Sequence, residues 1–138
     1  MSFNKISKEF HALFNCLYLI CSEHKDYLFT QLCQESINWN KFIQLVRWHK
    51  VTPVVYKVLN EYYKDCIPST VINALKTYCD KNTIHVMKLT SELVRIAKLF
   101  QDEGIPFISL KGPLLAQKIY GDMTLREPKD LDLLIPEE

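Results

Sequence analysis

Ile105-Pro106-Phe107-Ile108-Ser109-Leu110-Lys111-Gly112-Pro113 and, further on, Asp130-Leu131-Asp132-Leu133-Leu134-Ile135 are the stretches whose reading decides the fold. The first is a short apolar strand over residues 105–110 that ends in a glycine turn and feeds a helix over 114–120. The second is a strand carrying carboxylates at i and i+2. Everything before Gly104 has helical periodicity. The predicted class is therefore α+β and predominantly helical, with a helical region over 1–103 followed by a strand-helix-strand unit over 104–138.

Side chains alternate along a strand, so Asp130 and Asp132 project from one face, their α-carbons about 6.6 Å apart, while Leu131, Leu133 and Ile135 enter the core. Two carboxylates so placed can hold divalent metal, because magnesium takes oxygen ligands and shares its shell with substrate phosphates. An amphipathic strand with one wet face explains the alternation equally well. Glycine at the bend lets the backbone come close to a ligand, and the free amides of the following helix attract phosphate oxygens. Pro113 removes one of those amides but suits a first helical turn. Lys111 stands beside this opening as a movable positive charge, although a plain turn with a solvated lysine has the same sequence. Arg126 can grip phosphate bidentately, or form a structural salt bridge to an aspartate.

Outward from this unit, Phe10, Leu13, Phe14, Leu17 and Cys21 recur at three- and four-residue steps and define one helical face. Phe42, Leu45, Val46 and His49 define a second, entered from Asn38 or Asn40 as cap. Thr52-Pro53 opens a third, with threonine as cap and proline in the first turn, and Val54, Val55, Val58, Leu59 and Tyr62 as its buried face. Ile67-Pro68-Ser69 ends that helix. Val71, Ile72, Leu75, Tyr78 and Cys79 begin another, and the pattern resumes at Val86, Leu89, Leu93, Ile96 and Phe100 before Gly104, a left-handed terminator. Asp80-Lys81-Asn82-Thr83 fits either a break or a continuous helix. Trp39, Trp48, Tyr56, Tyr62 and Tyr63 have the spacing of core aromatics and lack the interleaved Lys and Arg of a base-stacking surface.

Seventeen basic against sixteen acidic residues leave no basic excess of the kind that marks a nucleic-acid binder. Cys16, Cys21, Cys33, Cys66 and Cys79 form no Cys-x-x-Cys pair and are odd in number, which disfavours a disulfide framework and a zinc site. They read as reduced thiols of a cytoplasmic protein. His11, His24, His49 and His85 are scattered, without a second ligand at i+4. The apolar run over 12–21 is about half the ~20 residues a membrane span needs, so no membrane segment is expected.

Together, Phe107-Ile108-Ser109-Leu110-Lys111-Gly112, Ile119-Tyr120-Gly121-Asp122, Leu125-Arg126 and Asp130-Leu131-Asp132-Leu133-Leu134-Ile135-Pro136 resemble the signature of a nucleotidyltransferase family within the DNA polymerase beta-like nucleotidyltransferase superfamily. The stretch Trp48-His49-Lys50-Val51-Thr52-Pro53 is similar to the helical region that precedes this motif in the family. The resemblance implies the start of a mixed sheet flanked by helices, with Asp130 and Asp132 as the catalytic, metal-binding pair for Mg2+, or Mn2+ in its place. Lys111, Gly112 and Arg126 would face the phosphates of an NTP, and a nucleoside monophosphate would pass to the hydroxyl of an acceptor that the resemblance does not identify. Two departures stand out: Pro113 replaces the second small residue usual after the glycine, and the third carboxylate, usually supplied by a later strand, has only Glu137 and Glu138 as poor substitutes.

The chain therefore reads as the N-terminal portion of a nucleotidyltransferase, with the sheet cut short. The alternative is a non-catalytic helical interaction module or remnant that binds a partner, or a second copy of itself, through open strand edges.

Overall fold

The computed structural model describes residues 7–21 and 36–137, with the Cys21 side chain excepted. Cys33 and His24 lie outside them. The described elements are α1 (Lys8–Cys21), α2 (Trp39–Trp48), α3 (Thr52–Tyr62), a 3-10 turn (Lys64–Cys66), α4 (Ser69–Asp102), β1 (Ile108–Ser109), α5 (Pro113–Tyr120), a second 3-10 turn (Met123–Leu125) and β2 (Leu133–Leu134). This is the predominantly helical α+β class that the sequence predicts. The chain divides into two compact units, Met1–Tyr78 and Cys79–Glu138.

In the first unit, α1 packs on α2 and α3. The core is built from Leu13, Cys16, Phe42, Val46, Val55, Val58, Leu59, Val71, Ile72 and Leu75, with Trp39 and Tyr56 packed against it. Asn38 is the cap of α2, its side chain accepting from the Lys41 amide at 3.1 Å. The helix ends with Lys50 in the left-handed region, where the Lys50 and Val51 amides return to the carbonyls of Arg47 and Val46. Buried Glu9, in the first turn of α1, accepts from the Asn38 amide at 3.3 Å and pairs with Lys41 at 3.3 Å. Its own backbone amide holds the carboxyl below the usual carboxylate range, against the opposing effect of burial.

Several local expectations change. Phe10 and Phe14 are exposed, and the buried side of α1 runs through Ala12, Leu13, Cys16 and Leu19. This helix is apolar over most of its circumference, so spacing alone does not choose the buried side. Thr52 lies within α3 and is fully buried, and Val51 takes the cap position without a side-chain bond. That helix ends at Tyr62, ahead of Pro68, and closes through the first 3-10 turn. Tyr63 is buried as a core aromatic, but Trp48 is 83% exposed and Tyr62 is also exposed, because both fall on the outer sides of their helices.

Residues 80–83 do not interrupt α4. The helix closes at Gly104, left-handed at φ 67°, where the Gly104 amide reaches the Gln101 carbonyl and the Ile105 amide the Phe100 carbonyl at 2.8 Å. In the second unit Val86, Leu93, Ala116 and Leu125 are buried, and Phe100 meets Phe107 edge-on. The strands are shorter than predicted. They pair antiparallel, Ile108 opposite Leu134 and Ser109 opposite Leu133, with one further bond from the Leu110 amide to the Asp132 carbonyl at 3.0 Å.

Cys66 is exposed and Cys79 half-buried. Burial, and then the negative charges of Glu127 and Asp80, push the Cys79 thiol up to about 12. At pH 8 only roughly one part in ten thousand of such a thiol is ionised, and the thiolate is the reactive form. Iodoacetamide at pH 8, followed by peptide mapping, is expected to modify Cys66 and leave Cys79 intact until the pH nears 12 or the unit unfolds. Equal labelling of the two thiols in the folded protein would contradict this.

Candidate active site

The site begins with a turn that requires glycine. Gly112 caps α5 with φ 91° and ψ −152°, a conformation closed to residues with a β-carbon except under strain. Pro113 follows at the start of the helix, where its missing amide costs nothing. The Ser109 hydroxyl donates to the Lys111 carbonyl at 3.1 Å, bracing the exit from β1. Gly112 is buried, and a β-carbon there would lie 3.6 Å from Leu131 Cδ2 and 3.8 Å from the Asp130 carbonyl oxygen. The turn after the first strand thus lies against the Asp130 backbone and the Leu131 side chain.

Asp130 and Asp132 occupy the approach to β2 and not the strand itself, since only Leu133 and Leu134 pair in regular register. Leu131 and Leu133 are partly buried, as expected, but Ile135 is exposed, so the predicted inward run ends at Leu133. Lys111 Nζ lies 3.3 Å from Asp132 Oδ2. Both side chains keep substantial solvent contact, so this pair is screened and contributes little to stability. Its consequence is local: a cation sits beside one of the two carboxylates of the motif. Asp130 is exposed. No cluster of three or more His, Cys, Asp or Glu side chains able to hold a metal ion occurs among the described residues.

Arg126 is brought to the same unit by a tightly bonded connector. Gly121 ends α5 in the left-handed region, and the Asp122 carboxylate accepts from the Thr124 amide at 2.8 Å and the Thr124 hydroxyl at 2.7 Å. The Arg126 carbonyl accepts from the Asn82 side chain at 3.0 Å. The salt bridge of its guanidinium to an aspartate, allowed by the sequence, is not found among the described residues. Asn82 and His85, which both reach this connector, were missed by sequence reasoning. The available signal was a polar, poorly helix-forming Asn82 inside a helical pattern that otherwise continues.

The strain at Gly112 supplies a direct test. Gly112→Ala is expected to cost about 1–3 kcal/mol through backbone strain, because its new methyl group meets its neighbours only at ordinary contact distance. Urea unfolding of the variant should show a lower midpoint; unchanged stability would mean that the turn does not have this conformation.

Residues 35–138 match the sequence profile of the uncharacterised nucleotidyltransferase family. This chain belongs to that family, and the match takes in both the helices from Ile37 onward and the Gly112–Asp132 site. No curated protein and no solved structure matches it. Among the described residues no helix is long and apolar enough to cross a membrane.

Proposed function

We propose that this nucleotidyltransferase-family chain transfers a nucleoside monophosphate from an NTP to a hydroxyl acceptor, with Asp130 and Asp132 as its metal-binding carboxylates. The observation that carries this reading is the packing of the Gly112 turn on Asp130 and Leu131, with Lys111 3.3 Å from Asp132. It joins the phosphate-facing and carboxylate halves of the motif at one place. The donor set suits a hard divalent ion such as Mg2+, since two carboxylates supply oxygen ligands and the rest of the shell is left to water and phosphate. When bound, the ion supplies Lewis-acid stabilisation of the acceptor oxygen and of the leaving pyrophosphate.

The chain's own residues bind and orient. Gly112 forms the turn that opens α5, and the Leu114 and Leu115 amides in the first turn of that helix would donate to the triphosphate oxygens. With an ion held by Asp130 and Asp132, Lys111 would be free to pair with a phosphate oxygen instead of Asp132. Arg126 offsets the charge that builds on the phosphates. In the transfer, the acceptor oxygen bonds to the α-phosphorus, the bond to the β-phosphate oxygen breaks, pyrophosphate leaves, and the acceptor proton passes to solvent.

Calorimetric titration of each of the four NTPs into the chain, with and without magnesium, tests the reading. Magnesium-dependent binding is expected. No binding at millimolar nucleotide would overturn it and leave the second reading, which a separate observation favours: cross-strand partners Ile108 and Leu134, and Leu110 on the same side two residues beyond Ile108, are all exposed. Such a face suits association through the strands, with a second copy or another chain. Sedimentation of the wild type against Ile108→Lys distinguishes it, because only a strand-mediated assembly is dissociated by that charge.

A further inference from the structure

Asn82 is an unfavourable residue for the middle of a helix, yet it lies buried within the 34 residues of α4. Its side-chain nitrogen donates to two backbone carbonyls, Thr124 at 2.9 Å and Arg126 at 3.0 Å. An amide nitrogen has two protons, so one serves each carbonyl, and the opposite amide orientation would set oxygen against oxygen. Three residues on, His85 Nε2 lies 3.1 Å from the Pro128 carbonyl oxygen. Thr90 adds a weaker contact from its hydroxyl to Met123 Sδ at 3.6 Å, while donating to the Val86 carbonyl at 2.8 Å. Residues 82, 85, 86 and 90 share one face of the helix, and Val86 between them is fully buried.

Among the described residues the connector from Asp122 to Pro128 has no strand partner. Three of its carbonyls, those of Thr124, Arg126 and Pro128, are met instead by side chains of α4, with Asn82 binding on both sides of Leu125. Asp130 is two residues beyond the Pro128 anchor, so it can stray no more than about 7 Å from it.

We infer that Asn82 is a positioning residue for the candidate active site: its two hydrogen bonds fix residues 124–126, and through them the backbone of Arg126 and the placement of Asp130 against the Gly112 turn. The functional half of this inference rests on the nucleotidyltransferase reading; the anchoring half does not. Burial already disfavours the charge that Asn82→Asp introduces, and the loss of both donated protons adds to it, because an ionised carboxylate offers the two carbonyls only repulsion; the neutral Asn82→Ser and Asn82→Ala therefore isolate the hydrogen bonds.

The test compares Asn82→Ala, Asn82→Ser and Asn82→Asp by hydrogen exchange and by calorimetric titration with magnesium and NTP. Exchange in residues 122–130 is expected to accelerate at least tenfold in Ala and further in Asp, with residues 39–62 unchanged. Nucleotide affinity should fall about tenfold in Ala and more in Asp. Asn82→Ser, which keeps one donor, should lie between wild type and Ala, and carries the test if Ala unfolds its unit. Wild-type exchange in Asn82→Asp overturns the anchor. A loosened segment with wild-type affinity overturns the positioning role. Failure of the wild-type chain to bind NTP overturns the nucleotidyltransferase reading and the positioning role with it, while the exchange result still decides the anchor.

Discussion

Replacing Asp130 and Asp132 together by asparagine is expected to abolish magnesium-dependent NTP binding. The calorimetric signal should fall to background, a loss of at least a hundredfold, or about 2.7 kcal/mol. Asparagine keeps the shape of each side chain and one oxygen, but not the charge that a divalent ion requires of its ligands. Folding should survive, with stability within about 0.5 kcal/mol of wild type, because the ion pair lost from Lys111 is solvent-exposed and the removed repulsion offsets part of it. The single variants separate the roles. Asp130→Asn removes an exposed carboxylate alone, whereas Asp132→Asn also releases Lys111. A double variant that unfolds would show the aspartates to be structural. One that still binds nucleotide with magnesium dependence would remove them from the site.

The second large effect lies in the core of the first unit. Phe42→Ala is expected to cost about 3–5 kcal/mol, since it removes the largest fully buried side chain of the first unit's core and leaves a cavity that its neighbours cannot fill. Trp39 lies edge-on to Phe42, ring centroids 5.7 Å apart, so its fluorescence reports the change directly. Against a total stability of about 5–15 kcal/mol for an ordinary domain, this loss brings the unit to the edge of unfolding. Phe42→Leu, which conserves most of the volume, should lose much less. A urea midpoint for Phe42→Ala close to wild type would show that the core is not centred there.

The helices and the motif were readable from the residues, because both depend on local rules. Val54, Val55, Val58 and Leu59 recur at helical spacing and are buried accordingly; Gly104 and Gly112 mark backbone turns that disfavour a β-carbon, and both have positive φ. The succession of an apolar strand, a glycine turn and an Asp-x-Asp pair was likewise written in composition and spacing, while their approach was implied only by the family resemblance. Other features depend on what surrounds each segment. Which side of α1 is buried follows from where α2 and α3 lie, and its apolar circumference offered several sides. The two strands shrank to two residues each because hydrogen bonding between strands requires a partner at every step, a property of the pair and not of either sequence. Asn82 is the clearest case. Locally its stretch fitted either a break or a continuous helix, and only the carbonyls of Thr124 and Arg126, more than forty residues away in the chain, give its two protons a place to go.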